Sequence, residues 1–136
     1  MERSIVKDTL FLSRKAKPAT AEDTAVGEDL VATLLAHRDS CVGLAANMIG
    51  SDVAAIVFFD GAFPVVMYNP VSVAKSGRYE TAEGCLSLPG ERPCVRYDTV
   101  RVKYRDRAFR AEEKTFRGFT AQIIQHETDH LQGILI

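Results

Sequence analysis

The segment Gln125-His126-Glu127-Thr128-Asp129-His130-Leu131, near the C-terminus, constrains this chain more than any other. Two of the protein's three histidines stand there four positions apart, with a glutamate directly after the first. In a helix that spacing puts both imidazoles on one face, one turn apart. Two ring nitrogens so placed can bind one divalent metal, and the glutamate can reach a water on it. A chance pair on a helix face is the bland alternative, since short motifs have false positives. The neighbouring residues argue for burial. Phe119, Ile123, His126 and His130 share one face, and Ile124, Thr128 and Leu131 form an adjacent stripe. The predicted helix, Thr120 to Gln132 with Gly133 as its stop, therefore belongs in the middle of the fold. Histidines buried there need a partner, and a metal is one.

The third ligand decides what kind of site this is. The spare histidine, His37, follows an apolar helical stripe beside Arg38 and Asp39 and reads as surface. A cysteine is then the natural candidate, and Cys85, in Glu83-Gly84-Cys85-Leu86-Ser87-Leu88-Pro89-Gly90, is the best of three. A glycine beside it and a carboxylate two residues earlier suit a thiolate ligand on an open backbone. The competing reading is a buried cysteine packing as a small hydrophobe. Three cysteines are too few and odd in number for a disulfide framework, which favours a reducing, cytoplasmic setting.

Elsewhere the pattern is that of one α+β domain over residues 1–136, with antiparallel β-sheets packed around the C-terminal helix and a further helix near the N-terminus. Thr20 and Asp23 resemble a capping pair, and Val26, Leu30, Leu34 with Val31, Leu35 give the apolar stripe of a helix ending near His37. Leu10-Phe11-Leu12, within a basic stretch, reads as an arm over the core or a solvated loop. The Val42–Gly50 run mixes small and apolar residues and predicts a tightly packed turn into a strand. Ala54–Phe59 and Phe63–Tyr68 predict a hairpin across Asp60-Gly61, ended by Asn69-Pro70. Short strands are expected at Val71–Ala74, Cys94–Arg96, Val100–Tyr104 and Lys114–Arg117. A net charge of −1, from 17 basic and 18 acidic residues, gives no support for nucleic-acid or basic membrane contacts. No run approaches the roughly 20 apolar residues of a membrane span, and no signal peptide is expected.

Three segments in this order, Gly43-Leu44-Ala45-Ala46, Glu83-Gly84-Cys85-Leu86-Ser87 and Gln125–Leu131, strongly resemble the peptide deformylases. The resemblance implies that Cys85, His126 and His130 bind one divalent metal ion, Fe²⁺ first, with Ni²⁺, Co²⁺ or Zn²⁺ as alternatives. It implies that Glu127 is the catalytic acid/base, and that the backbone N–H of Leu86 donates to the oxyanion. The substrate would be an N-formylmethionyl peptide or nascent chain, bound in extended form along the backbone around Val42 and Gly43. Phe119 and Ile123 are candidates for the methionine pocket, although simple helix packing would also explain them, and Gln122 is polar for such a pocket.

The sequence departs from that family at three places. The first segment usually ends in a glutamine whose amide is the second oxyanion donor, and here Met48 stands there and cannot donate. Asn47 carries an amide one position early and should point elsewhere. Cys41 replaces the segment's first glycine, as inert packing or as a redox-sensitive thiol. The chain also stops three residues after Gly133, where many members continue into a further helix. Three functions remain in view: an active deformylase, a deformylase-like metal-binding protein with weak or no catalysis because of Met48, and a zinc peptidase acting on internal bonds. Glu127 favours the first, since a pure metal-binding module has no need of it. The cysteine ligand weakens the third.

Overall fold

The computed structural model describes residues 1–136. The arm begins with one helical turn, α1 (Thr9–Leu12), capped by the Asp8 side chain, which accepts from Leu10 N–H at 3.0 Å. Only Leu12 of this turn is buried, while Leu10 is largely exposed. The arm is laced down through its backbone. Val6 N–H donates to Met48 O, Ala16 N–H to Leu131 O, and Lys17 forms a parallel bridge with Val53. It is therefore a belt over the core rather than a solvated loop.

Thr20 and Asp23 form the expected capping box around a 3₁₀ turn (Ala21–Asp23), which leads into α2 (Thr24–Ala36). Gly27 looks costly in the first turns of a helix, but it has a packing reason. The Tyr68 hydroxyl sits against it, accepting from Gly27 N–H at 3.1 Å and donating to Thr24 O at 3.3 Å. A Cβ at residue 27 would stand 2.0 Å from that oxygen.

Five antiparallel strands then form one sheet in chain order: β1 (Gly43–Ala45), β2 (Ala55–Asp60), β3 (Phe63–Gly84), β4 (Glu91–Arg105) and β5 (Ala111–Arg117). A 3₁₀ turn (Ala46–Ile49) closed by Gly50 at φ 86° separates β1 from β2, as the mixture of small and apolar residues suggested. Consecutive residues Ala55–Phe58 of β2 are all buried, so both faces of that strand are covered. Both long helices, α2 and the C-terminal α3 (Gly118–Leu131), pack on β2.

Strand lengths are where the sequence reading needs correction. Asn69-Pro70 does not end β3, and the separate strands expected at Val71–Ala74, Cys94–Arg96 and Val100–Tyr104 are parts of β3 and β4. Register shifts between Tyr68 and Val71 and between Ser72 and Ala74 absorb the disruption. Asn69 takes φ 52°, and its amide clamps Ala19 through both backbone groups, at 2.8 and 3.0 Å. In the outer half of the hairpin, β3 pairs with β4 alone from Val71 onward. Its far end carries Glu83 and Gly84 up to Cys85.

α3 ends in a Schellman motif: Ile134 N–H reaches Asp129 O and Gly133 N–H reaches His130 O, both at 3.0 Å, with Gly133 at φ 78°. A side chain at residue 133 would also collide with Ser13 O.

Gly27 supplies a test of this packing. Alanine usually stabilises a helix interior by about 1 kcal/mol over glycine, whereas Gly27→Ala here should cost about 1–3 kcal/mol through overpacking. Tyr68→Phe should relieve part of that cost in a urea-unfolding double-mutant cycle. An equal effect of Gly27→Ala in both backgrounds would contradict the contact.

Candidate metal centre

His126 and His130 project from consecutive turns of α3, with ring centroids 4.8 Å apart and Nε2 atoms 3.1 Å apart. Cys85 arrives from the other side, one residue past the end of β3. The potential ligand atoms of Cys85, His126 and His130 all lie within 4.8 Å of one another. A tetrahedral ion with metal–nitrogen bonds of 2.0–2.1 Å needs its nitrogens about 3.3 Å apart. The donor set fits such an ion. His37 takes no part; it caps the end of α2, its Nδ1 within 2.9 Å of Thr33 O.

His126 is oriented by a carboxylate. Its Nδ1–H donates to Glu83 Oε1 at 2.7 Å, which leaves Nε2, beside that of His130, as the atom a metal could take. Glu83 in turn accepts from Arg96 Nη2 at 2.7 Å and from Gln122 Nε2 at 2.8 Å. The other arm of Arg96 reaches Asp129 Oδ2 at 2.8 Å, so the guanidinium returns to the helix that carries both histidines. Burial opposes the charge on Glu83, but hydrogen bonds from His126, Arg96 and Gln122 outweigh it and hold its pKa well below the usual carboxylate range. His126 is pushed up to about 10: burial works against its charge, and Cys85, Glu83 and Glu127 overcome it. His130, buried without a carboxylate partner, is pushed down to about 3.

Two side-chain amides fix the helix in place. Gln125 pairs with the backbone of Tyr97 on β4, accepting from N–H and donating to O, each at 2.8 Å. Asn47 donates to His130 O at 2.8 Å and to Leu12 O at 3.4 Å, tying α3 to the arm. It does point away from the cavity, as its position predicted.

Glu127 directly follows His126 on α3 and lines the same cavity. Burial raises its carboxyl to about 7, and its Oε1 has no hydrogen-bond partner. Gly43 makes room for it: a Cβ there would lie 2.7 Å from Ile123 Cγ2 and 3.0 Å from Glu127 Oε2. The cavity has a volume of about 420 Å³ and is lined by Cys85, His126 and Glu127 together with Val42, Gly43, Leu86, Phe119 and Ile123. Ile123 is buried, while Phe119 is 64% exposed at the rim. The Val42 carbonyl is already paired with Phe59 N–H, and the Gly43 carbonyl accepts the Cys41 thiol at 2.9 Å. Burial pushes that thiol up to about 12, in keeping with the inert-packing reading of Cys41. Met48 lines the cavity too, fully buried, its sulfur accepting from Ala45 N–H at 3.4 Å. It offers no donor.

A family model described as Polypeptide deformylase matches residues 3–136. The chain belongs to the polypeptide deformylase family. A relative named peptide deformylase, from Clostridium beijerinckii, is 52% identical over 136 residues, the full length of both chains. Peptide deformylase 3 of Shewanella oneidensis is 41% identical, over 90% of this chain and 78% of that one. Among solved structures, a peptide deformylase from Legionella pneumophila superposes with TM-score 0.88 at 35% identity, over 99% of this chain and 83% of that one. A class I type b peptide deformylase from Acinetobacter baumannii, bound to Met-Ala-Ser, gives TM-score 0.88 at 30% identity, over 99% and 97%. Within the family fold, the sequence reading missed Arg96, Asp129 and Gln122 as supports of the ligand set. Asp129 stands within the Gln125–Leu131 motif and Gln122 is a polar residue on a largely apolar helix, but nothing local marks Arg96 among the other charged residues of β4.

The depressed pKa of Glu83 makes a pH prediction. Its contribution to folding is complete above the ordinary glutamate value of about 4.3 and is lost as pH falls through its lower native value. Metal-free protein should therefore lose stability between about pH 5 and 3, and Glu83→Gln should flatten that decline in urea titrations. Parallel declines for the two proteins would show that Glu83 carries no such linkage.

Proposed function

We propose that this protein hydrolyses the formyl amide of N-formylmethionyl peptides and nascent chains, releasing formate. The observation that carries the proposal is the Cys85–His126–His130 cluster at the edge of a cavity that Cys85 and His126 line together with Glu127, a buried carboxylate with an unpartnered oxygen. Cys85 Sγ and the Nε2 atoms of His126 and His130 would hold one divalent ion, Fe²⁺ in the first instance and Ni²⁺, Co²⁺ or Zn²⁺ as substitutes. Such an ion supplies Lewis acidity and makes hydroxide available from water near neutral pH.

The chain's own groups do the rest. Glu127, with its pKa near 7, takes the proton of the attacking water and returns it to the amine nitrogen as the carbon–nitrogen bond breaks. Leu86 N–H, next to Cys85, is the backbone donor for the developing oxyanion. The sheet edge at Val42 and Gly43 would hold the peptide in extended form, with Gly43 leaving room for the Glu127 side chain beside it. Phe119 and Ile123 would enclose the first side chain. We take the chain as one catalytic domain working in the cytoplasm without nucleic-acid or membrane contacts; none of its helices is long and apolar enough to cross a membrane.

Protein loaded anaerobically with Fe²⁺, or with Ni²⁺, should release formate from formyl-Met-Ala-Ser. Absence of turnover in correctly metallated protein would leave the metal-binding, non-catalytic alternative. Glu127→Ala should keep the metal and lose hydrolysis. Met48→Gln should raise kcat/KM about tenfold or more, the low end for one oxyanion donor; no gain would mean that another group already fills that role.

A further inference from the structure

One polar side chain in the pocket has hydrogen-bonding capacity left over after its support of Glu83. Gln122 sits one turn before His126 on α3 and lines the cavity beside Phe119 and Ile123. Its amide orientation is set by chemistry. The atom 2.8 Å from Glu83 Oε2 must be the nitrogen, because the carbonyl oxygen there would face a carboxylate. That contact uses one of the two N–H bonds. The second N–H and Oε1 have no partner within the protein, and the residue is half-buried in the cavity wall.

A methionine side chain gains little from such a donor, because a thioether sulfur is a weak acceptor. Oxidation changes that. Methionine sulfoxide adds a strong acceptor oxygen at the sulfur and makes the side chain polar and chiral. A wholly apolar pocket would strip that oxygen of water without replacement, at a cost of about 1–3 kcal/mol on protein scales. Here Phe119 and Ile123 on the same helix are apolar, as are Leu86 and Met48, and Gln122 offers a free amide donor beside them; Ser40 is a further hydroxyl in the cavity lining.

We infer that Gln122 is a specificity-determining residue that admits N-formyl peptides whose first residue is methionine sulfoxide, its free N–H donating to the sulfoxide oxygen. This rests on the deformylase reading and deepens it. Because the donor approaches from one wall, it distinguishes the two sulfoxide epimers. The reaction itself is unchanged, with water adding to the formyl carbon and formate leaving the amine. No redox step is involved.

The test compares formyl-Met-Ala-Ser with each epimer of formyl-Met(O)-Ala-Ser on Ni²⁺-loaded protein. The preferred epimer should have a kcat/KM within about fivefold of the methionine peptide and exceed the other epimer by about fivefold or more. In Gln122→Leu the preferred epimer should fall about tenfold relative to formyl-Met-Ala-Ser, with the epimer difference gone. Loss of Glu83 support would slow all three peptides together, so these ratios separate the two roles of Gln122. Calorimetric binding of Met-Ala-Ser and Met(O)-Ala-Ser to the same proteins gives the ratios without turnover. It keeps the inference testable if no peptide is hydrolysed, an outcome that counts against the deformylase reading alone. Equal handling of the epimers by the wild-type protein, or ratios unchanged in Gln122→Leu, would overturn the inference and leave Gln122 as a support for Glu83.

Discussion

Much of this molecule turns on the ion pair between Glu83 and Arg96, whose side chains are 9% and 5% exposed. A buried charge pair is not a cheap source of stability, because both ions give up water, and removing one partner commonly costs about 3–5 kcal/mol. What this pair contributes is position. Glu83, at the end of β3, fixes the ring of His126; Arg96, on β4, reaches Asp129 on α3. Three elements that carry the ligands or their supports are thus bound through one charged cluster. Gln122 occupies most of the remaining capacity of the carboxylate. The long β3–β4 hairpin is the lever that delivers it, since β3 carries both Glu83 and the approach to Cys85.

The helix carrying the histidines was the most legible part of the chain, and the reason is locality. A four-residue spacing fixes which face a side chain takes, and a glycine in the left-handed region fixes where the helix stops. The Thr20–Asp23 capping box and the β2–β3 hairpin were legible for the same reason. Strand length was not. Asn69-Pro70 reads as a stop, yet the strand bulges past it because β4 offers a partner on the far side. Arg96 was harder still. In the strand register it stands opposite Tyr79, and its side chain runs along the sheet to reach Glu83. No local pattern encodes that contact.

The departures from the family motif become physical statements in the fold. Asn47 is spent on His130 O, so it stiffens the ligand helix and supplies nothing to the cavity. Met48 fills its place in the wall as an apolar group, with its sulfur turned to a backbone N–H. The cavity therefore brings together a candidate metal-ligand set and a buried carboxylate, while Met48 offers no side-chain donor there. Gln122, on the helix one turn from His126, adds a polar group to the lining. In the proposed mechanism, ligand geometry and oxyanion stabilisation are separable properties of this site.

The proposed chemistry depends most on Cys85, His126 and His130 forming one ion site. Titrating metal-free protein with Co²⁺ under anaerobic conditions, while recording its absorption spectrum, tests this directly. One equivalent per chain should saturate a thiolate-to-metal charge-transfer band together with the visible bands of a tetrahedral ion, and Cys85→Ser should abolish the charge-transfer band while Cys41→Ser and Cys94→Ser retain it. A spectrum without thiolate character, or one that survives Cys85→Ser unchanged, would contradict the proposed centre.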